Sequence, residues 1–329
     1  MQPLFNAFTT RTHIPKGNEY MFDLVGIGNP VYDSIVTPSS RTKGRVLSGC
    51  STNACLAAKR LGLERVGMIG KVGRDYAERL RSDLNAYGVS STLDTDSATG
   101  GFHLEYDDAG NRTLEVLGIA ENIGRKDLRD EFLDARFIMI GPILGEVNLD
   151  VIEFIKTSTT AKLFLDPQGL IRLVRDDRKI IHKCETDSFS KILELVDFVK
   201  PNEPESVTIT GSNVPAIGLK RLQEMGGAFP IITLAERGSV LIYDNCEWKI
   251  PAFRTNAIDP TGAGDVYGGS FIVEYLRTHD YVESALFASA ASSLMVEQVG
   301  PDFQLQLGEV KRRKEIIRVG LEKTQMVDG

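Results

Sequence analysis

"DPTGAGDVYGGSF", residues 259–271, decides how this chain is read. Five glycines or alanines fall within nine residues, a single carboxylate, Asp265, stands among them, and the apolar helical pattern starts only afterwards. Pro260 discourages helix before it, and Gly262, Ala263 and Gly264 let the backbone come close to a ligand. Unpaired N–H groups and the positive end of the helix dipole meet there, which favours an anion such as a phosphoryl group. Asp265 would repel that anion unless something separates them. A hydroxyl of a second substrate does so, giving its proton to the carboxylate while the N–H groups hold the phosphoryl group under attack. The plainer alternative is a tight loop-to-helix joint with Asp265 as an ordinary first-turn acid. Downstream, Tyr267, Phe271 and Tyr275 recur at helical spacing and predict a core stripe. Gly268 and Gly269, poor helix formers, predict that another element packs close against them.

Around this stretch, short apolar runs alternate with amphipathic periods. Strands are expected at 22–28, 65–70, 136–141, 162–166, 197–200 and 229–234, with helices in "STNACLAAKRLG" and "YAERLRSDL" between them. That alternation predicts a layered α/β sandwich around a mostly parallel sheet. Residues 31–47 and 100–118 break it with half-polar extended segments, the second a hairpin turning at 107–111, and together they predict a small β lid. A second hairpin at 239–251 is expected at an antiparallel edge of the main sheet. Residues 1–20 read as a flexible extension and 21–329 as one domain.

At 329 residues and 42% hydrophobic, the chain can build a large core, and a net charge of −7 gives no basic field for nucleic acid or membrane surface. The basic run Lys311 to Lys314 reads as the solvated face of a terminal helix. The four cysteines and four histidines show no zinc-ligand spacing, so free thiols and a cytoplasmic setting are expected. There is no Walker A string, and "GIGNPV" (26–31) lacks the third glycine of the dinucleotide fingerprint, which weakens a nicotinamide-dependent dehydrogenase. Asn29 and Asp33 in "GNPVYD" supply an amide and a carboxylate, groups suited to adjacent hydroxyls.

The 259–271 stretch resembles the C-terminal signature of the PfkB-type carbohydrate kinases, the ribokinase and adenosine kinase group, with Pro260 in place of a threonine. "SGCSTNACLAAKRLGL" (48–63) is similar to the N-terminal signature, with Cys50 where a second glycine is usual. The resemblance runs from about Phe22 to Gly300 and implies a ribokinase-like fold and transfer of the ATP γ-phosphoryl group, with Mg²⁺, to a hydroxyl of a sugar or polyol. A nucleoside acceptor is the alternative, and a non-catalytic sugar sensor a more distant one. It implies Asp265 as base, Gly262, Ala263 and Gly264 as anion hole, and Asn29, Asp33, Gly49, Cys50 and Asn53 around the acceptor. "KPNEPE" (200–205) resembles the family's N-x-x-E motif, placing Asn202 and Glu205 near Mg²⁺ through water; the alternative for this pair is a helix cap. "TLAERGS" (233–239) makes Thr233 and Gly238 nucleotide contacts, with Ala235 where glycine is usual. Ser289 lies in the segment that resembles the one beside the adenine. Relatives often use K⁺, for which Asp259 is the candidate here, and an exposed lid predicts a homodimer formed through it.

Overall fold

The computed structural model describes residues 20–107 and 112–326. The expected extension, and most of the hairpin turn at 107–111, lie outside these residues. A ten-stranded sheet runs through the middle, its order being Glu322–Gln325, Cys246–Ile250, Ser239–Tyr243, Phe229–Thr233, Phe198–Val199, Lys162–Leu165, Ala135–Ile140, Phe22–Ile27, Val66–Gly73 and Ser90–Ser97. Every pairing from Phe229–Thr233 to Ser90–Ser97 is parallel, and the remaining three strands are antiparallel. All the expected strands are present. The two outermost, "SSTLDTDS" and "EKTQ", are too polar to show an apolar period, as suits sheet edges.

Alternation along the strands splits the core into two layers. Leu24, Phe137, Met139 and Phe164 face the helices Cys50–Arg60, Ala263–Thr278 and Tyr281–Met295, whereas Val25, Ile138, Ile140 and Leu165 face the helices of 149–226. The first layer is unusually close-packed. A Cβ on Gly269 would lie 2.4 Å from the carbonyl oxygen of Ala54, and one on Gly26 would lie 2.7 Å from Cys55 Sγ. Tyr267, Phe271 and Tyr275 are buried on the same helix. The glycines thus let two helices and a strand meet almost backbone to backbone.

A separate four-stranded sheet covers one end of this core. Val31–Val36 runs antiparallel to Val46–Ser48 and parallel to Gly101–Tyr106, which pairs antiparallel with Arg112–Gly118. Arg45 staples it, donating from Nε to the Tyr32 carbonyl at 2.6 Å and from Nη2 to that of Gly100 at 3.1 Å. A further hairpin, Arg172–Val174 with Ile180–His182, joins the outer strand through a Glu115–Lys179 bridge. Sequence periodicity does not reveal this third contributor, because its strands are only three residues long.

The last helix, Leu307–Arg318, corrects one expectation. Lys311 and Arg312 are exposed, but Arg313 is buried and Lys314 half-buried, so the basic run is not simply a solvated face. No helix among the described residues is long and apolar enough to cross a membrane.

The helix crossing makes a stability prediction. Gly269→Ala should cost about 1–3 kcal/mol or more, because neither backbone can move aside. Gly308→Ala, where a Cβ would meet nothing within 4 Å, should gain up to about 1 kcal/mol. Urea midpoints of the two variants check both signs, and equal midpoints would refute the tight crossing.

Candidate active site

Asp166 and Lys200 follow two neighbouring parallel strands, at the carboxyl ends where open α/β sheets place their ligands. They form a buried ion pair of 2.8 Å, each side chain 3% exposed. Burial alone would lower the Lys200 ammonium, but the Asp166 and Glu205 carboxylates outweigh it and hold the pKa above its usual value. Both residues border a cleft of ≈ 890 Å³ that runs between the sheet's end, the small sheet and the start of the Ala263–Thr278 helix.

That helix begins as its glycines require. Gly262 has φ 84°, and a Cβ there would lie 2.7 Å from Asn53 Nδ2. Ala263 donates its N–H to the Pro260 carbonyl at 3.2 Å, so the first-turn N–H groups of Gly264 and Asp265 are better placed to serve an anion. Asp265 Oδ2 accepts from Asn53 Nδ2 at 2.9 Å, and Oδ1 accepts from Gln168 Nε2 at 3.3 Å. Burial pushes the Asp265 carboxyl above its usual pKa and Asp166 adds to that, while Asn53, Lys200 and Cys50 pull it back. The Cys50 thiol, fully buried, is pushed well up by burial and by the two nearby carboxylates, so it is a neutral neighbour here. The Cys50, Asp166 and Asp265 ligand atoms lie within 4.8 Å of one another.

At the end of the cleft under the small sheet, Asp33 is buried and accepts from the Phe102 N–H at 2.8 Å. Burial pushes its pKa up to about 6, against the pull of the Phe102 N–H, the Ser48 hydroxyl and Arg45. Gly49, with φ 117°, borders the same end beside Cys50. Phe102 and Leu104 point inward from Gly101–Tyr106, and Tyr106 Oη lies 2.9 Å from Thr261 Oγ1, joining the small sheet to the glycine-rich bend. Asn29 does not reach the cleft. Its Nδ2 donates to the Glu121 carbonyl at 2.9 Å and its Oδ1 accepts from the Lys71 N–H at 2.8 Å, so its amide organises backbone instead.

At the other end, Thr233, Gly238 and Ser289 all border the cleft, with the Ser289 hydroxyl donating to the Pro251 carbonyl at 2.7 Å. Asn202 and Glu205 form a reciprocal helix cap, each side chain accepting from the other's N–H at 2.9 Å, and both also line the cleft. Burial and Asp166 raise the Glu205 pKa, with Arg172 and Lys200 opposing. Ala235 takes φ 53°, which explains why a glycine suits that position. Asp259 is fully buried; its Oδ1 accepts from the Thr261 N–H at 2.9 Å and its Oδ2 has no hydrogen-bond partner.

Sequence reasoning missed Asp166, Gln168, Arg172 and Lys200, although Asp166 closes an expected strand and Lys200 opens the stretch with the N-x-x-E motif. The available signal was position: opposite charges directly after apolar strands of a parallel sheet.

A family model described as pfkB family carbohydrate kinase matches residues 20–306. A cytidine kinase of Thermococcus kodakarensis is 28% identical over 265 residues, covering 78% of this chain and 90% of that protein. A ribokinase of Lactococcus lactis is 25% identical over 91% of this chain and 96% of its own length. Among solved structures, a pyrophosphate-dependent kinase in the ribokinase family, complexed with a pyrophosphate analog and myo-inositol, superposes with TM-score 0.75 at 21% identity, covering 88% of this chain and 99% of that one. Ribokinase from Thermotoga maritima superposes with TM-score 0.71 at 18% identity over 89% and 99%. These superpositions assign the large, mostly parallel sheet with its covering helices and the small second sheet to the ribokinase-like fold.

The turn at 235–238 is testable on stability alone. Ala235→Gly relieves a left-handed residue and should be neutral or stabilising by up to about 1 kcal/mol. Gly238→Ala should be strongly destabilising, since its Cβ would fall 1.9 Å from the Ile250 carbonyl oxygen. Thermal melts of both variants decide; a tolerated Gly238→Ala would show that this turn can rearrange.

Proposed function

Because this chain belongs to the pfkB family of carbohydrate kinases, we propose that it transfers the γ-phosphoryl group of ATP to a hydroxyl of a sugar or sugar-like polyol, with Asp265 as the base. The observation that carries this reading is the placement of Asp265 in the first turn of a helix, beside a glycine-rich bend, in a cleft. The acceptor hydroxyl gives its proton to the Asp265 carboxylate as its oxygen bonds to the γ-phosphorus, and the bond from that phosphorus to the β,γ-bridging oxygen breaks, leaving ADP. Asn53 and Gln168 fix the direction in which Asp265 presents its lone pairs. Its raised pKa brings it nearer the range in which a base both is ionised and accepts a proton well. The bend formed by Gly262, Ala263 and Gly264 admits the phosphoryl group, and the first-turn N–H groups with Lys200 stabilise its charge.

Mg²⁺, when bound with the nucleotide, neutralises phosphate oxygens. Asn202 and Glu205 would hold it through water, since two of their oxygens already cap the helix. The unpartnered Asp259 oxygen, buried behind the bend, supports a K⁺ site there. Asp33, Gly49 and Cys50 border the acceptor end, and Thr233, Gly238 and Ser289 the donor end. The small sheet serves as the lid that excludes water from the reaction. Its outer edge and the hairpin beside it expose Leu117, Ile119, Leu173, Val174 and Ile181, which supports a homodimer formed through the lid. Four unpaired cysteines support a cytoplasmic setting.

A nucleoside acceptor is the second reading. Val31, Phe102, Leu104, Leu114 and Ile143 give the acceptor end an apolar wall that a base would cover and a bare polyol would leave wet.

The experiment is an ADP-release screen over pentoses, hexoses, sugar-derived keto acids, inositols and nucleosides, run with K⁺ and with a bulky organic cation instead. Turnover is expected with one acceptor class and in K⁺. Asp265→Asn should keep ATP binding and lose about 10²–10⁴ in rate. Full activity in that variant would remove Asp265 from the chemistry, and equal rates in the two salts would remove the K⁺ reading.

Asp33 gives a pH prediction. Ionised, it accepts from acceptor hydroxyls; as pH falls through about 6 it gains a proton and loses that capacity. The acceptor KM should therefore rise as pH drops below 6, with a one-proton dependence that Asp33→Asn abolishes. A flat KM from pH 7.5 to 5 in the unmodified protein would show that Asp33 does not bind the acceptor as a carboxylate.

A further inference from the structure

The last helix, Leu307–Arg318, lies beyond the residues matched by the family model, yet it reaches the donor end of the cleft through one side chain. Arg313 is 7% exposed. It donates from Nε to Glu309 Oε1 on its own helix at 2.9 Å, from Nη1 to Ser293 Oγ at 3.1 Å, and from Nη2 to Glu297 Oε2 at 3.1 Å. Nη1 is also 2.8 Å from Glu297 Oε1, which accepts from the Thr255 hydroxyl. Its Cζ lies 4.4 Å from the centre of the Phe253 ring. Phe253, Thr255 and Ser293 line the cleft, and Arg313 stands one layer behind them.

The wall it supports has little else to hold it. Residues 252–257 form no regular structure, and among the described residues no backbone–backbone hydrogen bond joins them to the rest of the chain. Side chains therefore fix this wall, and a guanidinium that stacks on Phe253 and fixes the partner of Thr255 restrains it at two points.

We infer that Arg313 is a positioning residue for the phosphoryl donor. It sets the wall of residues 252–257 against which the base of the nucleotide packs, and so governs donor affinity without touching the donor. The inference rests on the reading of ATP as donor given above.

Arg313→Met keeps an unbranched stem beside Phe253 and removes the hydrogen bonds. The KM for ATP, and the Kd for a fluorescent ATP analogue measured without turnover, should both rise about tenfold or more, as losing charged hydrogen bonds implies. The acceptor KM and the kcat at saturating ATP should stay within about twofold. Arg313→Lys should not restore donor affinity, because an ammonium lacks the flat, forked donor set. Lys314→Met is the control for simple undocking of the helix. It removes contacts of 3.0 Å to Glu274 and 3.1 Å to Glu283, and should lower Tm while leaving donor affinity unchanged. An unaltered donor Kd in Arg313→Met, an equal rise in acceptor KM, or the same donor defect in Lys314→Met would overturn the inference. Absence of nucleotide binding by the unmodified protein would instead refute the donor reading, and the inference with it.

Discussion

Everything at the site depends on how closely the Cys50–Arg60 and Ala263–Thr278 helices approach each other. Because Gly269 has no side chain, the Ala54 carbonyl can sit where a methyl group would otherwise be. Asn53, one residue earlier, is thereby brought against Asp265 and above Gly262. A carboxylate held by a residue 212 positions away in sequence is only as well placed as the crossing that brings the two together. The small residues along both helices thus set the packing and the placement of Asp265 together.

The cleft floor concentrates charge that burial disfavours. Asp166 and Asp265 would repel one another in so dry a place, and Lys200 makes their coexistence tolerable by pairing with the first and attracting the second. Buried pairs of this kind contribute little net stability compared with apolar packing. Their use lies in fixed orientation: on the proposed reading, the positive group is already in place when a phosphoryl group enters the bend.

The sequence makes the frame and the centre legible, and the support around them much less so. Apolar strands, the lid segments and the glycine-rich helix start all carry local signals, namely period, breakers and spacing. Asn29 shows the limit. Amide and carboxylate four residues apart look equivalent in a string, but the backbone turns Asp33 towards the cleft and Asn29 towards the carbonyl of Glu121 and the N–H of Lys71. Asn202 and Glu205 were open to two readings, and the structure shows the capping geometry without moving them from the cleft wall. Arg313 was illegible altogether, since a run of basic residues reads as solvated until the tertiary fold turns one of them inward.

The hairpin formed by Arg172–Val174 and Ile180–His182 gives the small sheet a second attachment. The chain leaves the core at Asp166, passes Pro167 and Gln168, and then bridges to the small sheet's outer strand. The small sheet is thus tethered on both flanks, and one tether carries Gln168, which hydrogen-bonds Asp265. Were the small sheet to swing outward as the proposed lid, the short span containing Pro167, whose ring stiffens it, would have to flex. On the proposed reading, entry and exit of small molecules would be mechanically tied to the alignment of Asp265, and an unlatched molecule would be one whose base is out of register.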